Sequence, residues 1–297
     1  MPDLQGIGTV ASFATAPHAV RGIKRRPWNP AEIVLSAVGI AVLSFLAAPI
    51  VIIVLTSFTT TTTVEFPPVG FSLMWYRRLL DTLGGLPGTR PGLADAIWFS
   101  TWLGVVVACI CTVTGSLAAL ALHKFTFFGK AVFRDMLLLP ITFPSLILGI
   151  GLLVTFSKLH LSDPFARLLI GHVIVALPYV LLSVGANLAV YEEEVEEAAR
   201  SLGADALQTL LYITLPLIRT GIIAGAMFAF VNSFDNFTVS FFLSIGSAQP
   251  LPMWIYQVVI YGYDPLIAAI SVFLLGMTVA AVVLLDRLVG LRRVART

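Results

Sequence analysis

Few residues of this sequence could do chemistry, and their spacing excludes most kinds of it. The two cysteines, Cys109 and Cys111, lie two apart in an apolar run. On a helix they point to different faces, so they form neither a C-x-x-C redox pair nor a metal site, and packing is the use expected of them. The four histidines show no ligand spacing of the H-E-x-x-H kind. His172, the one clearly inside an apolar stretch, is expected to bond a backbone carbonyl. Gly129-Lys130 lacks the glycine five residues earlier that a Walker A cradle needs, because Lys124 stands there. Ser116, in Thr114-Gly-Ser-Leu, lacks the following glycine of a rhomboid-like site, and Asp235 has no second aspartate in a comparable setting. Enzyme activity is therefore not expected of this chain, nor a cofactor or metal.

Asp235 is the one Asp, Glu, Lys or Arg inside any of the six longest apolar stretches, with Asn232, Ser233 and Asn236 making its surroundings polar. An acid in such a place is expensive and points to a pathway or a partner. Two uses stay open: facing a translocation path, where it meets a cation or a gate, or a structural hydrogen bond to a neighbouring helix or water. A second polar feature is the segment from Tyr191 to Pro216, with five glutamates near its start. Residues 192–202 are good helix formers with acids toward the N-terminus, where the helix dipole favours them. Gly203 can end that helix in the left-handed conformation, and Asp205 can cap the next one, with Gln208 at the capping-box position. Leu207, Leu210 and Leu211 share one face of the second helix. Pro216 suits the start of a further helix after a break. Such a helix–turn–helix can dock a soluble partner or pack on its own chain, and the residues alone leave both open.

The elements that must hold these residues are membrane spans. Of the 297 residues, 58% are hydrophobic and 11% charged, and the mean hydropathy is +0.95, outside the range of soluble proteins. A bilayer core of about 30 Å needs about 20 apolar residues as helix, and six stretches meet that length: Ile33–Leu55, Ala96–Leu122, Met136–Phe156, Leu168–Val190, Gly221–Ile245 and Leu266–Leu285. The expected fold is all-α, a polytopic bundle of six transmembrane helices over 33–290 with a loop at 191–218, preceded by a segment 1–32 and followed by a tail 291–297. The first stretch is too long for a signal-peptide core and reads as a retained anchor. With both termini cytoplasmic, thirteen of the eighteen basic residues fall inside, which satisfies the positive-inside rule. The net charge of +2 gives no reason to invoke nucleic acid. Residues 71–80 suit a helix lying in the interface or packed on the spans, the threonine run 59–63 reads as a linker, and 84–92 as a turn. Pro140, Pro144 and Pro178 interrupt the third and fourth stretches, as hinges or as packing kinks.

The loop carries a resemblance. Glu197-Ala198-Ala199, three residues, Gly203, nine residues, Ile213-x-Leu215-Pro216 is similar at every fixed position to the EAA signature of bacterial ABC importer permeases. Residues 71–80, 230–237 and 261–271 resemble the spermidine/putrescine branch, and the likeness covers residues 30–290. The resemblance implies a type I ABC importer fold and a coupling helix, including Ala204, Asp205 and Leu207, seated in a cleft of an ATPase. It further implies a second permease subunit, two ATPase subunits that bind ATP and Mg, a periplasmic substrate-binding protein and a place in the inner membrane. A polyamine is the substrate implied, with thiamine, iron, phosphonates or amino-acid-like compounds as alternatives. A secondary transporter would show inverted repeats or paired intramembrane charges, and the sequence has neither.

Overall fold

Helices dominate this chain because hydrocarbon supplies no partner for a free backbone amide, so each apolar run must satisfy its own. The structure, a computed structural model, describes residues 30–190, 193–246, 249–262 and 264–289. The expectations for residues 1–29, for the tail 291–297 and for Tyr191, Glu192 and Tyr263 lie outside the described residues. In chain order the helices are α1 (Pro30–Thr56), α2 (Met74–Leu83), α3 (Leu93–Lys124), α4 (Lys130–Thr142), α5 (Ser145–Lys158), α6 (Pro164–Leu188), α7 (Glu193–Ser201), α8 (Ala206–Thr209), a π-helical turn (Leu210–Thr214), α9 (Leu215–Phe234), α10 (Phe237–Leu243), α11 (Leu251–Tyr261) and α12 (Leu266–Val289). The chain divides into two compact units after Pro49. Most of α1 belongs to the first and is described by itself: residues 31–53 are exposed and apolar on every side, as suits a lipid-facing helix.

Among the described residues, four helices are long and apolar enough to cross a membrane, and a bent pair makes a fifth. The sixth expected stretch is α12, which begins at Leu266 as anticipated. Two expected spans are not single helices. Met136–Phe156 is divided between α4 and α5, which meet at 108°. Pro144 is the cause, since its ring bars Phe143 from helical backbone, and Phe143 is extended at φ −82°, ψ 142°. Pro140 and Pro178, by contrast, lie inside continuous helices. Gly221–Ile245 is likewise broken, with α9 ending at Phe234 and α10 starting at Phe237. The threonine run is more than a linker, because buried Thr59 pairs with Phe71 in an isolated bridge and its hydroxyl meets that of Thr61 at 2.8 Å.

The core is built from α3, α6 and α9, with Val107, Cys111, Val180, Val184, Leu188 and Ile218 buried between them. Without a hydrophobic force between helices in lipid, close packing of small residues must hold such a trio. Gly115 on α3 and Gly225 on α9 both face Val180 of α6: an added Cβ would come within 2.9 Å of the Val180 side chain in the first case and 3.0 Å of its Cα in the second. Cys111 is buried here, its thiol 3.6 Å from the carbonyl of Val173, whereas Cys109 is exposed, so only one of the two cysteines packs. A second cluster joins Trp75 and Leu79 of α2 to α11 and α12. Of the two placements expected for residues 71–80, α2 takes the second, a helix packed on the spans, with Trp75 buried. Leucine at Gly225 should overpack the trio at a cost of about 1–3 kcal/mol, read as a lowered melting temperature of the detergent-solubilised protein. Gly151→Leu, at a site where a Cβ meets nothing within 4 Å, should leave it unchanged. Equal melting of the two variants would contradict this packing.

Candidate functional site

The loop between α6 and α9 is shaped by local capping. α7 ends in a Schellman motif, in which the Ala204 amide donates to the Ala199 carbonyl at 3.0 Å and the Gly203 amide to the Arg200 carbonyl at 3.0 Å. Gly203 itself lies at φ +95°, where only glycine is at ease. Asp205 then starts α8: its carboxylate accepts from the Gln208 amide at 2.7 Å, and its own amide donates to the Gln208 side chain at 3.0 Å. The break expected before Pro216 is absent, for residues 206–234 form one continuous helix. Proline lacks a donor and crowds the carbonyl four residues back. The turn just before it widens to π geometry, with the Leu215 amide donating to the Leu210 carbonyl, which absorbs the misfit.

Of the residues that the resemblance singled out in this loop, Glu197, Ala198, Gly203, Asp205, Leu207 and Pro216 are exposed, and Ala199, Ala204, Ile213 and Leu215 half-buried. Leu202, Leu207, Leu211 and Tyr212 are 90, 62, 47 and 77% exposed on the same loop, so these four side chains are directed away from this chain, whereas Leu210, expected on one face with Leu207 and Leu211, packs against the core. The buried acid is Glu196, one residue before the signature. Its carboxylate is held by the Lys124 ammonium at 2.6 and 2.8 Å and accepts from the Thr214 hydroxyl. Sequence reasoning missed this group. Glu196 is one of a run of glutamates, and the one local signal, its i,i+4 relation to Arg200, is realised at 3.4 Å.

The second candidate group divides. Ser233 is buried and meets His172 Nδ1 at 2.9 Å, while His172 Nε2 meets the Ser240 hydroxyl at 3.3 Å. His172 therefore bonds hydroxyls of α9 and α10 in place of the expected backbone carbonyl. Asn236 caps α10, accepting from the Val239 amide at 2.9 Å. Asp235 follows the last residue of α9 and is exposed. It borders two cavities, an apolar one of 540 Å³ among Met227, Phe230, Phe234, Ile255 and Leu274, and a more polar one of 480 Å³ with Ser145, Tyr179, Asn232 and Thr238. Asn232 Oδ1 is buried without a hydrogen-bond partner. An acid beside an unsatisfied carbonyl oxygen and a tyrosine can receive a cationic group.

The chain is 31% identical to the spermidine/putrescine transport system permease protein PotC of Haemophilus influenzae over 82% of this chain and 91% of that protein. It is also 31% identical to the putrescine transport system permease protein PotI of Escherichia coli, over 86% of this chain and 88% of that one. In fold it is similar to a chain of a bacterial ABC transporter involved in the import of the acidic polysaccharide alginate, with a TM-score of 0.61, 18% identity and coverage of 89% of this chain and 98% of that chain. Residues 111–292 match the family model described as binding-protein-dependent transport system inner membrane component. This chain is a multi-pass member of that family of transport permeases.

Proposed function

We propose that this chain is one permease subunit of an ATP-driven importer and forms half of the path for a polyamine or a related organic cation. The observation that carries the reading is the capped loop with apolar side chains turned outward, on a chain of the binding-protein-dependent permease family. Apolar surface of that kind at the edge of a membrane bundle costs free energy until a partner covers it. That partner is an ATPase subunit, which binds ATP and Mg, with Glu197 to Pro216 as the coupling element. A second permease completes the path, a second ATPase serves it, and a periplasmic binding protein delivers the solute. Both termini and the loop are cytoplasmic, in agreement with the distribution of Lys and Arg.

Polyamine as the solute rests on what the relatives are named for and on the environment of Asp235. Asn232 and Asp235 line one cavity, which supports assigning them to the ammonium group of the solute, whereas Ser233 bonds His172 and Asn236 caps α10. The direct experiment is uptake of labelled spermidine into vesicles containing the whole assembly, with ATP and binding protein supplied. No uptake of polyamine alongside transport of another solute would replace the substrate and keep the permease role.

Gly203→Val places a β-branched residue at positive φ, a strain of about 1–3 kcal/mol. It should lower ATPase co-purification or the uptake obtained per ATP, while Gly203→Asn, which tolerates positive φ, loses less. Wild-type values for the valine variant would remove the loop from the mechanism. Asp235→Asn should raise the apparent KM for the cation about tenfold or more, since a hydrogen bond to a charged group contributes roughly 1.5–3 kcal/mol. An unchanged titration would reduce Asp235 to a helix-end residue.

A further inference from the structure

Glu196 and Lys124 have no place in the outward docking face, yet they form the most enclosed ion pair among the described residues, with side chains 9 and 25% exposed. Lys124 is the last residue of α3 and Glu196 the fourth of α7. The carboxylate also accepts from the hydroxyl of Thr214, the last residue of the π turn, and that hydroxyl stands 3.3 Å from the Thr209 carbonyl. One carboxylate thus ties together the end of α3, the first helix of the loop and the irregular turn leading into α9.

Much of the space between the loop and α3 is a cavity of 730 Å³, lined by Leu117, Ala121 and Phe125 on one side and Glu197, Ala206 and Leu210 on the other. Side-chain contacts of Glu196 bridge it. Without them, force applied to α7 and α8 would enter the bundle only through the chain on either side, back into α6 and forward into the continuous helix 206–234 across a π turn, and through the packing of Leu210 on the core. Such turns are where helices bend. With them, the same force also reaches α3, which packs along α6 and α9 as part of the core trio. A largely buried ion pair is little screened by salt, and removing one partner leaves the other charge uncompensated.

We propose that Lys124, Glu196 and Thr214 form a clasp that makes the coupling loop one rigid body with α3, so that ATPase motion displaces the α3–α6–α9 trio together instead of bending the chain at the π turn. Glu196 and Lys124 act as positioning residues: they touch neither solute nor nucleotide. The inference rests on the coupling role proposed above for the loop.

The test uses the complete reconstituted transporter with ATPase, second permease and binding protein, and reads spermidine imported per ATP hydrolysed, counted per assembled complex. Lys124→Met and Glu196→Gln should each lower that ratio at least about fivefold, within the range of coupling energies for residues in one network, while the ATPase still co-purifies. The exchange of charges, Lys124→Glu with Glu196→Lys, should recover roughly half of the loss or more. If a single charge variant fails to assemble, Thr214→Val, which leaves both charges paired, should still lower the ratio about twofold or more. A wild-type ratio in the single variants, or an exchanged pair no better than either single variant, overturns the clasp. Leu207→Asp on the exposed face tests the parent reading separately. If it leaves ATPase association and uptake at wild-type levels, the coupling role itself fails and the clasp with it. Loss of association in Leu207→Asp with normal ratios in the clasp variants refutes the clasp alone.

Discussion

In hydrocarbon a backbone amide or carbonyl without a partner costs several kcal/mol, so a helix can stop inside or beside the membrane only where something else satisfies its ends. The polar features of this chain gather at such stops. Between α7 and α8 the Schellman bonds of Gly203 and Ala204 close one helix, and the Asp205–Gln208 capping box opens the next. Between α9 and α10 the side chain of Asn236 does the capping, which leaves Asp235 at the junction. At Phe143-Pro144 the chain turns through 108°.

Holding these stops in place requires a scaffold that does not yield. Gly115 and Gly225 let three long helices meet at Val180, and Gly221 of α9 approaches Asn187 and Ser183 of α6 closely enough that an added Cβ would lie 2.7 to 2.8 Å from them. His172 adds a polar pin, linking α6 to Ser233 and Ser240 on either side of the α9–α10 break. The two ends of α9 are thereby fixed to its partners in the trio by different chemistry: a hydroxyl–imidazole bond to α6 near Asp235, and a carboxylate–ammonium clasp to α3 near the loop. A displacement of the loop and a change in the surroundings of Asp235 are connected through one helix of about 30 Å, at 1.5 Å per residue.

What could be read in the sequence was what local spacing controls. Gly203, Asp205 and Gln208 lie within six residues of one another, and their caps form as the spacing implied. The apolar stretches of α1, α3 and α6 were legible because each satisfies its own backbone. The continuous helix through Pro216 was not, because a π turn just ahead of the proline accommodates it, and nothing in the residue types of Leu210–Thr214 marks such a turn. Nor was the choice of Glu196 over its neighbours as the buried acid. That depends on Lys124, 72 residues earlier, arriving at the same point in space. The pairing of Ser233 with His172, 61 residues apart, was hidden for the same reason, and it removes a serine from the group that sequence proximity had placed around Asp235.

The claim on which the rest depends is that the exposed face of the loop meets an ATPase. In a background with Cys109 and Cys111 replaced, a single cysteine introduced at Leu207 can be cross-linked in vesicles holding the assembled, transport-active complex. The account predicts a cross-link to the ATPase subunit whose yield changes when ATP is added, and none from a cysteine at Leu86 in the turn after α2. A transport-active complex in which the cysteine at Leu207 never reaches the ATPase, with or without nucleotide, would contradict it.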